Sequence, residues 1–97
     1  MTHLENLYLD SNFITGTLPL ALTNLTRLWQ LSLTSNSLEG NLNLLPRLPH
    51  SLKVLRLSRN RFAGRLQFFH LPAMQYFSVR ANQLNGSIPR FEMRNLT

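Results

Sequence analysis

The sequence predicts an α/β-type solenoid with little helix, in which every repeat contributes one short parallel β-strand. The tract Leu-x-x-Leu-x-Leu-x-x-Asn-x-Φ-x-Gly-x-Φ, where Φ is a large apolar residue, occurs three times in the 97-residue chain, and a fourth copy has Met74, Phe77 and Val79 at the leucine positions. Successive asparagines of the tract are 24, 24 and 22 residues apart, a period typical of stacked repeat architectures. The last two leucines of Leu-x-x-Leu-x-Leu lie two positions apart, which is strand spacing.

The strand of the first repeat shows how this spacing builds a core. Leu7 and Leu9 share one face of the strand, and Tyr8 between them points to the other face. A lone strand with one apolar face is unstable in water, whereas parallel copies stacked about 4.8 Å apart bury a continuous column of leucine. The leucine column therefore predicts a solenoid.

A polar residue and a glycine follow each strand. A buried asparagine amide can donate and accept hydrogen bonds at once, so it can satisfy backbone groups where the chain leaves the strand. We expect a structural ladder of side chains at these positions: Asn12, Asn36, Asn60 and Asn82. The glycine four residues later suits a tight turn, and no phosphate-binding Gly-rich motif accompanies it.

The tract extends to Gly-Thr-Leu-Pro at 16–19 and Gly-Ser-Ile-Pro at 86–89, whereas the two middle repeats lack the proline. These residues resemble the 24-residue plant-type leucine-rich repeat of receptor-like kinases, receptor-like proteins and polygalacturonase inhibitors, and related repeats of kinetoplastid surface proteins. The resemblance implies a right-handed curved coil, with the strands on its concave face and irregular or 3-10 turns on its convex face. It also implies protein or peptide recognition by an extracellular or cell-surface membrane protein.

The repeats are predicted at about 4–27, 28–51, 52–73 and 74–97, as one array. Solenoid ends normally carry polar caps, and none is evident here, so we expect an uncapped part of a longer array. The chain shows no signal peptide and no apolar stretch long enough to cross a membrane. Membrane anchoring is expected only through other parts of the parent protein, and a kinase or other catalytic domain could also lie there.

Outward-facing strand residues form the candidate binding wall. They are Glu5, Asn6, Tyr8, Asp10 and Ser11; Trp29, Gln30, Ser32, Thr34 and Ser35; Lys53, Val54, Arg56, Ser58 and Arg59; and Gln75, Tyr76, Ser78, Arg80 and Ala81. From these we predict the following ligand-binding residues: Tyr8, Asp10, Trp29, Gln30, Lys53, Arg56, Arg59, Tyr76 and Arg80. Exposed aromatic rings are typical of binding hot spots, although Trp29 could equally pack against its neighbours.

The charge of the chain favours an anionic partner. The net charge is +6, and half of the ten cations lie in one repeat, namely Lys53, Arg56, Arg59, Arg61 and Arg65. Arginine offers paired donors that match carboxylate and phosphate groups. The patch could take an acidic protein or peptide, or an anionic cell-wall polysaccharide in a secreted inhibitor-like protein. It could also be a solvated surface that maintains solubility. Nucleic acid is not favoured, because no nucleic-acid-binding motif is present.

Catalysis and metal binding find no support in the sequence. The chain has no cysteine, and its three histidines share no ligand spacing, so we expect no cofactor, no metal and no enzymatic activity from these residues. Three acceptor sequons predict a glycoprotein, with possible N-glycosylation at Asn24, Asn85 and Asn95.

Overall fold

The computed structural model of the chain describes residues 3–66, 71–85 and the backbone of 95–96. These residues form nine short strands and two 3-10 helices. The strands, numbered along the chain, are β1 (Asn6–Tyr8), β2 (Thr15–Gly16), β3 (Gln30–Ser32), β4 (Ser37–Gly40), β5 (Val54–Arg56), β6 (Arg61–Arg65), β7 (Tyr76–Ser78), β8 (Gln83–Asn85) and β9 (Asn95–Leu96). The 3-10 helices span Leu20–Asn24 and Leu45–Arg47.

The odd-numbered strands build the concave sheet, in the order β1-β3-β5-β7-β9. All pairs are parallel, and the register places Leu31 beside both Leu7 and Leu55, with Phe77 next in line. Leu31, Leu55 and Phe77 are fully buried. The structure is thus the predicted parallel-strand solenoid with almost no helix, and its core is the predicted apolar column.

A second parallel sheet follows the asparagines, in the order β2-β4-β6-β8. It continues through the two middle repeats, although they lack the proline of the plant-type motif. The prediction of irregular or 3-10 turns therefore described only part of this side of the coil. The proline position comes three residues after the glycine, beyond the strand, as Pro19 shows relative to β2. The strand consequently does not depend on it.

The chain turns between the two sheets through left-handed backbone. The residue directly before each ladder asparagine has a positive φ, at Ser11 (58°), Ser35 (60°), Arg59 (57°) and Ala81 (57°). This conformation is costly for residues other than glycine. Backbone bonds such as Ser35 N–H to the Ser58 carbonyl (3.0 Å) hold the turn to the next repeat, so the constraint comes from stacking.

Candidate functional site

Asparagine side chains connect successive repeats where the chain leaves the concave sheet. Asn36 Oδ1 accepts from the backbone N–H groups of Asn12 (2.9 Å) and Ile14 (3.0 Å) in the preceding repeat. Its Nδ2 donates to the carbonyls of Leu9 and Leu33, both at 3.0 Å. Each amide therefore serves two repeats at once, and these groups are engaged within the scaffold rather than offered to a ligand.

Asn60 and Asn82 repeat this geometry one and two repeats further on. Asn60 Oδ1 accepts from Leu38 N–H (3.1 Å), and Asn82 Oδ1 accepts from Phe62 N–H (3.0 Å). The side chain of Asn12 differs, because its Nδ2 donates to the carbonyl of Asp10 (3.0 Å) within the same repeat.

Strand pairing arranges the outward residues of the concave sheet into rows that run along the solenoid axis. One row contains Asn6, Gln30, Val54 and Tyr76, and the next contains Tyr8, Ser32, Arg56 and Ser78. A third row follows the strands two residues later and contains Asp10, Thr34, Ser58 and Arg80. These rows set which side chains of neighbouring repeats can meet.

Asp10 contributes to the join between the first two repeats. Its Oδ1 accepts from the hydroxyl of Ser32 (2.7 Å) and from Thr34 N–H (2.8 Å). The carboxylate is half-buried and the Ser32 side chain is fully buried. This predicted ligand-binding residue therefore already has partners inside the fold.

The third and fourth repeats, together with Thr34 of the second, enclose a depression of about 430 Å³ on the concave face. Its lining combines cations, hydroxyls and one aromatic ring: Thr34, Arg56, Ser58, Arg59, Tyr76, Ser78, Arg80 and Ala81. Four predicted site residues meet here, namely Arg56, Arg59, Tyr76 and Arg80. The sequence identified the other four only as outward-facing. For Thr34, Ser58 and Ser78, membership of the second and third rows was the available signal.

Arg56 is the most constrained cation of the depression. Its guanidinium carbon lies 4.8 Å from the centroid of the Tyr76 ring, a cation–π distance. Its Nε is buried and has no hydrogen-bond partner, which is a rare and costly state for a donor. Ser58 and Ser78 hydrogen-bond to each other through their hydroxyls nearby.

Other predicted site residues lie outside the lining of this depression. Tyr8 is 58% exposed and Trp29 is 37% exposed, both on the first two repeats. Gln30 occupies the first row, and Lys53 is exposed just before β5. Within the basic patch, Arg61 and Arg65 belong to the second sheet, so strand pairing divides the patch between two surfaces.

The acceptor sequons occupy three different places. Asn24 is exposed at the end of the first 3-10 helix, and Asn85 is exposed at the end of β8. Asn95 begins β9. Elsewhere, the described ranges contain no group of three or more His, Cys, Asp or Glu side chains placed to hold a metal ion. Nor do they contain a helix long and apolar enough to span a membrane.

The repeating strand–asparagine–glycine unit and the two parallel sheets define a leucine-rich-repeat solenoid. A family model described as Leucine Rich Repeat matches residues 3–25. The chain is a leucine-rich-repeat solenoid, and its relatives include plant receptor-like proteins.

Two relatives match almost the whole length of the chain. It is 38% identical to Receptor-like protein 41 of Arabidopsis thaliana over 100 residues, which cover 99% of the chain and 11% of that protein. It is 37% identical to Receptor-like protein 39 of the same species over 93 residues, covering 92% and 10% respectively. The chain thus spans about a tenth of the length of these relatives.

A solved structure shows the same fold. The crystal structure of the leucine-rich-repeat ectodomain of the receptor kinase SOBIR1 from Arabidopsis thaliana matches with a TM-score of 0.84 and 26% identity. The match covers 98% of this chain and 55% of that one.

Proposed function

We propose that this chain is a protein or peptide recognition module, acting through the concave sheet of an extracellular leucine-rich-repeat receptor or surface protein. The depression across the third and fourth repeats carries the proposal, because it gathers three arginines and an aromatic ring on one wall. Arginine and tyrosine are enriched at binding hot spots. The similarity to receptor-like proteins supports the receptor role.

The proposed mechanism is rigid presentation of side chains, without chemistry on the ligand. Backbone bonds between neighbouring strands fix the spacing of the rows, as at Leu33 N–H to the Arg56 carbonyl (2.8 Å). A preorganised surface loses little conformational entropy when it binds. We therefore expect the free and bound backbones of the concave sheet to be nearly the same.

An interaction screen tests the recognition role. The purified protein would be presented to a panel of individually immobilised secreted proteins and ectodomains from the source organism. Tyr8→Ala with Trp29→Ala removes two exposed rings from the concave side. Phe13→Ala with Leu20→Ala is the matched control, because these exposed apolar side chains lie outside the concave rows.

Every specific interactor should bind the control pair like the parent protein and bind the concave pair less tightly. Interactors that bind both variant pairs equally weakly, or that bind only the control pair more weakly, would contradict the assignment of binding to the concave sheet. An empty panel would count against recognition of secreted or surface proteins.

The extracellular assignment has a separate test. Protein made through the secretory pathway should carry a glycan at Asn24, whose exposed position leaves room for one. Asn24→Gln should then increase electrophoretic mobility by the equivalent of one glycan, and glycosidase treatment should abolish the difference. The same test applies to Asn85 and Asn95. An unmodified protein at all three positions would argue against this localisation.

Polysaccharide binding is the second candidate function, favoured by the exposed cations Lys53, Arg59, Arg61 and Arg65. A secreted inhibitor or cell-wall-binding protein would use this patch on a uronate polymer. It predicts salt-sensitive retention on a polygalacturonate column. Elution in the flow-through at low salt would exclude that role.

A further inference from the structure

The described lining of the depression in the third and fourth repeats collects positive charge and includes no acidic side chain. Arg56, Arg59 and Arg80 all line it, and none of the three has an ion-pair partner among the described residues. The remaining lining is neutral: hydroxyl side chains, the Tyr76 ring and Ala81. Among the described residues that line this space, a group that enters meets three cations and no carboxylate.

One of these cations is restrained before any ligand arrives, and the backbone of a second is held in place. The guanidinium of Arg56 stacks on Tyr76 at 4.8 Å, and its buried Nε has no protein acceptor. The backbone of Arg59 is fixed in the left-handed region with φ 57°, and its N–H donates to the Arg80 carbonyl at 2.9 Å. Restraint of donors lowers the entropic cost of binding.

Resting on the proposed function, we propose that this depression binds acidic side chains of a protein partner, presented by an extended segment containing aspartate or glutamate. Arginine pairs with carboxylates through parallel, charge-assisted hydrogen bonds. A volume of about 430 Å³ lies toward the lower end of small-ligand pockets, about 300–1,000 Å³. The space suits one or two side chains of a segment that continues along the sheet.

The charge pattern of the concave face distinguishes this partner from a uniformly anionic polymer. The first repeat presents Glu5 and Asp10, and the second presents neutral outward residues such as Trp29 and Gln30. A polyuronate lying along the solenoid axis would place like charges against the first repeat, which is unfavourable. A peptide segment can be acidic over the third and fourth repeats and neutral or basic over the first.

The experiment uses three probes with the purified protein at low ionic strength. The first is a terminally blocked peptide of three serines followed by three glutamates, and blocking removes the terminal carboxylate as a competing ligand. The second replaces the glutamates with glutamines. The third is a trimer of galacturonate, which carries the same number of carboxylates as the first. Titration calorimetry gives each Kd.

Two paired variants separate the depression from general charge. Arg56→Gln with Arg80→Gln removes two cations from the lining, and Arg27→Gln with Arg47→Gln removes two exposed cations elsewhere. Arg80→Gln alone, at an exposed side chain, provides a milder variant if the pair at Arg56 alters folding. Circular dichroism and thermal unfolding check the fold of each.

The glutamate peptide should bind more tightly than the glutamine peptide and the galacturonate trimer. The depression pair should weaken glutamate binding about tenfold or more, Arg80→Gln should weaken it in the same direction, and the control pair should change it less than about twofold. Equal losses in both pairs, or no preference for glutamate over glutamine, would overturn the carboxylate site. Tighter galacturonate binding that the depression pair abolishes would assign the site to a polysaccharide instead.

Failure of this inference can be told apart from failure of recognition itself. If interactors from the screen depend on Tyr8 and Trp29 but bind the depression pair normally, the concave face recognises proteins without an acidic anchor. If no interactor depends on the concave face, the proposed function fails as well.

Discussion

The substitution Asn60→Ala should destabilise the join between the second and third repeats. The side chain is only 7% exposed and makes four hydrogen bonds. Its Oδ1 accepts from Leu38 N–H at 3.1 Å, and its Nδ2 donates to the carbonyls of Leu33 (2.8 Å), Leu57 (3.2 Å) and Ser58 (3.1 Å). Alanine removes all four bonds and leaves a small void.

The size of the stability loss depends on which backbone groups lose their only hydrogen-bond partner. The Leu33 carbonyl keeps a bond from Asn36 Nδ2, and the Leu57 carbonyl keeps one from Asn82 Nδ2. The Leu38 N–H has no second acceptor of this kind. A buried unsatisfied amide costs about 1–3 kcal/mol, and lost hydrogen bonds cost about 0.5–1.5 kcal/mol each, partly offset where carbonyls keep other donors. We therefore expect the free energy of unfolding to fall by about 3 kcal/mol.

Asn12→Ala is the matched control, because Asn12 occupies the same position of the first repeat but is exposed. The single bond of its side chain goes to the Asp10 carbonyl, so the expected loss is about 1 kcal/mol or less. Urea unfolding followed by far-UV circular dichroism and by Trp29 fluorescence would measure both variants. Losses within about 0.5 kcal/mol of each other would refute the argument that inter-repeat bonding sets the cost.

The remaining predictions concern the core and the strained backbone positions. Leu55→Ala, at a fully buried side chain of the central column, should cost about 2–5 kcal/mol in urea unfolding, and a smaller loss would mean that the core collapses around the void. Gly16→Ala and Gly40→Ala each place alanine at φ +90°, which should cost about 1–2 kcal/mol. Gly40→Ala should cost more, because its Cβ would lie 2.9 Å from Thr17 Cγ2. Adding Thr17→Ser should recover the excess, and no recovery would exclude this clash. Phe13 is 89% exposed and has φ 57°. Phe13→Asn should raise the midpoint of thermal unfolding, because asparagine tolerates this conformation better. A lower midpoint would show that the ring contributes packing.

The core was predictable from sequence because strand spacing fixes which residues point inward. Leu31, Leu55 and Phe77 follow from position alone, and the stacking of repeats then buries them. The second sheet was harder to predict, because the repeat pattern led only to an expectation of irregular or 3-10 turns on that side of the coil. Its strands pair through backbone groups, as in β4 with β6, and those groups are the same for almost any side chain.

The candidate site was predictable as rows but not as contacts. The repeat period placed Arg56 and Tyr76 on adjacent repeats, 20 residues apart. Their stacking depends on side-chain rotamers and on the lateral offset between rows, which no periodicity encodes. Lys53 and Arg56 are three residues apart in the sequence, yet only Arg56 lines the depression.

One diagonal contact recurs between neighbouring repeats and accounts for the unusual environment of Arg56. A third-row residue bonds to the second-row residue of the next repeat, as in Asp10 with Ser32 and Ser58 with Ser78. The corresponding pair between the second and third repeats is Thr34 and Arg56. Here the guanidinium stacks on a ring instead, and its Nε is left without a partner.

This contrast predicts that the protein is less stable with Arg56 than with a residue that can hydrogen-bond to Thr34. Arg56→Ser removes the unpaired donor and supplies a hydroxyl opposite Thr34, while Arg56→Ala removes the donor without supplying one. Removing the unpaired buried donor should stabilise the fold by about 1–3 kcal/mol. Losing the stacking on Tyr76 should cost about 0.5–1 kcal/mol or more. Arg56→Ser should therefore unfold at a urea concentration no lower than the parent and above Arg56→Ala, while losing affinity for the glutamate peptide. Equal urea midpoints for the serine and alanine variants would show that the diagonal hydroxyl contact does not contribute to stability. A serine variant that is at least as stable as the parent but binds the glutamate peptide less tightly would identify Arg56 as a residue retained for binding at the expense of stability.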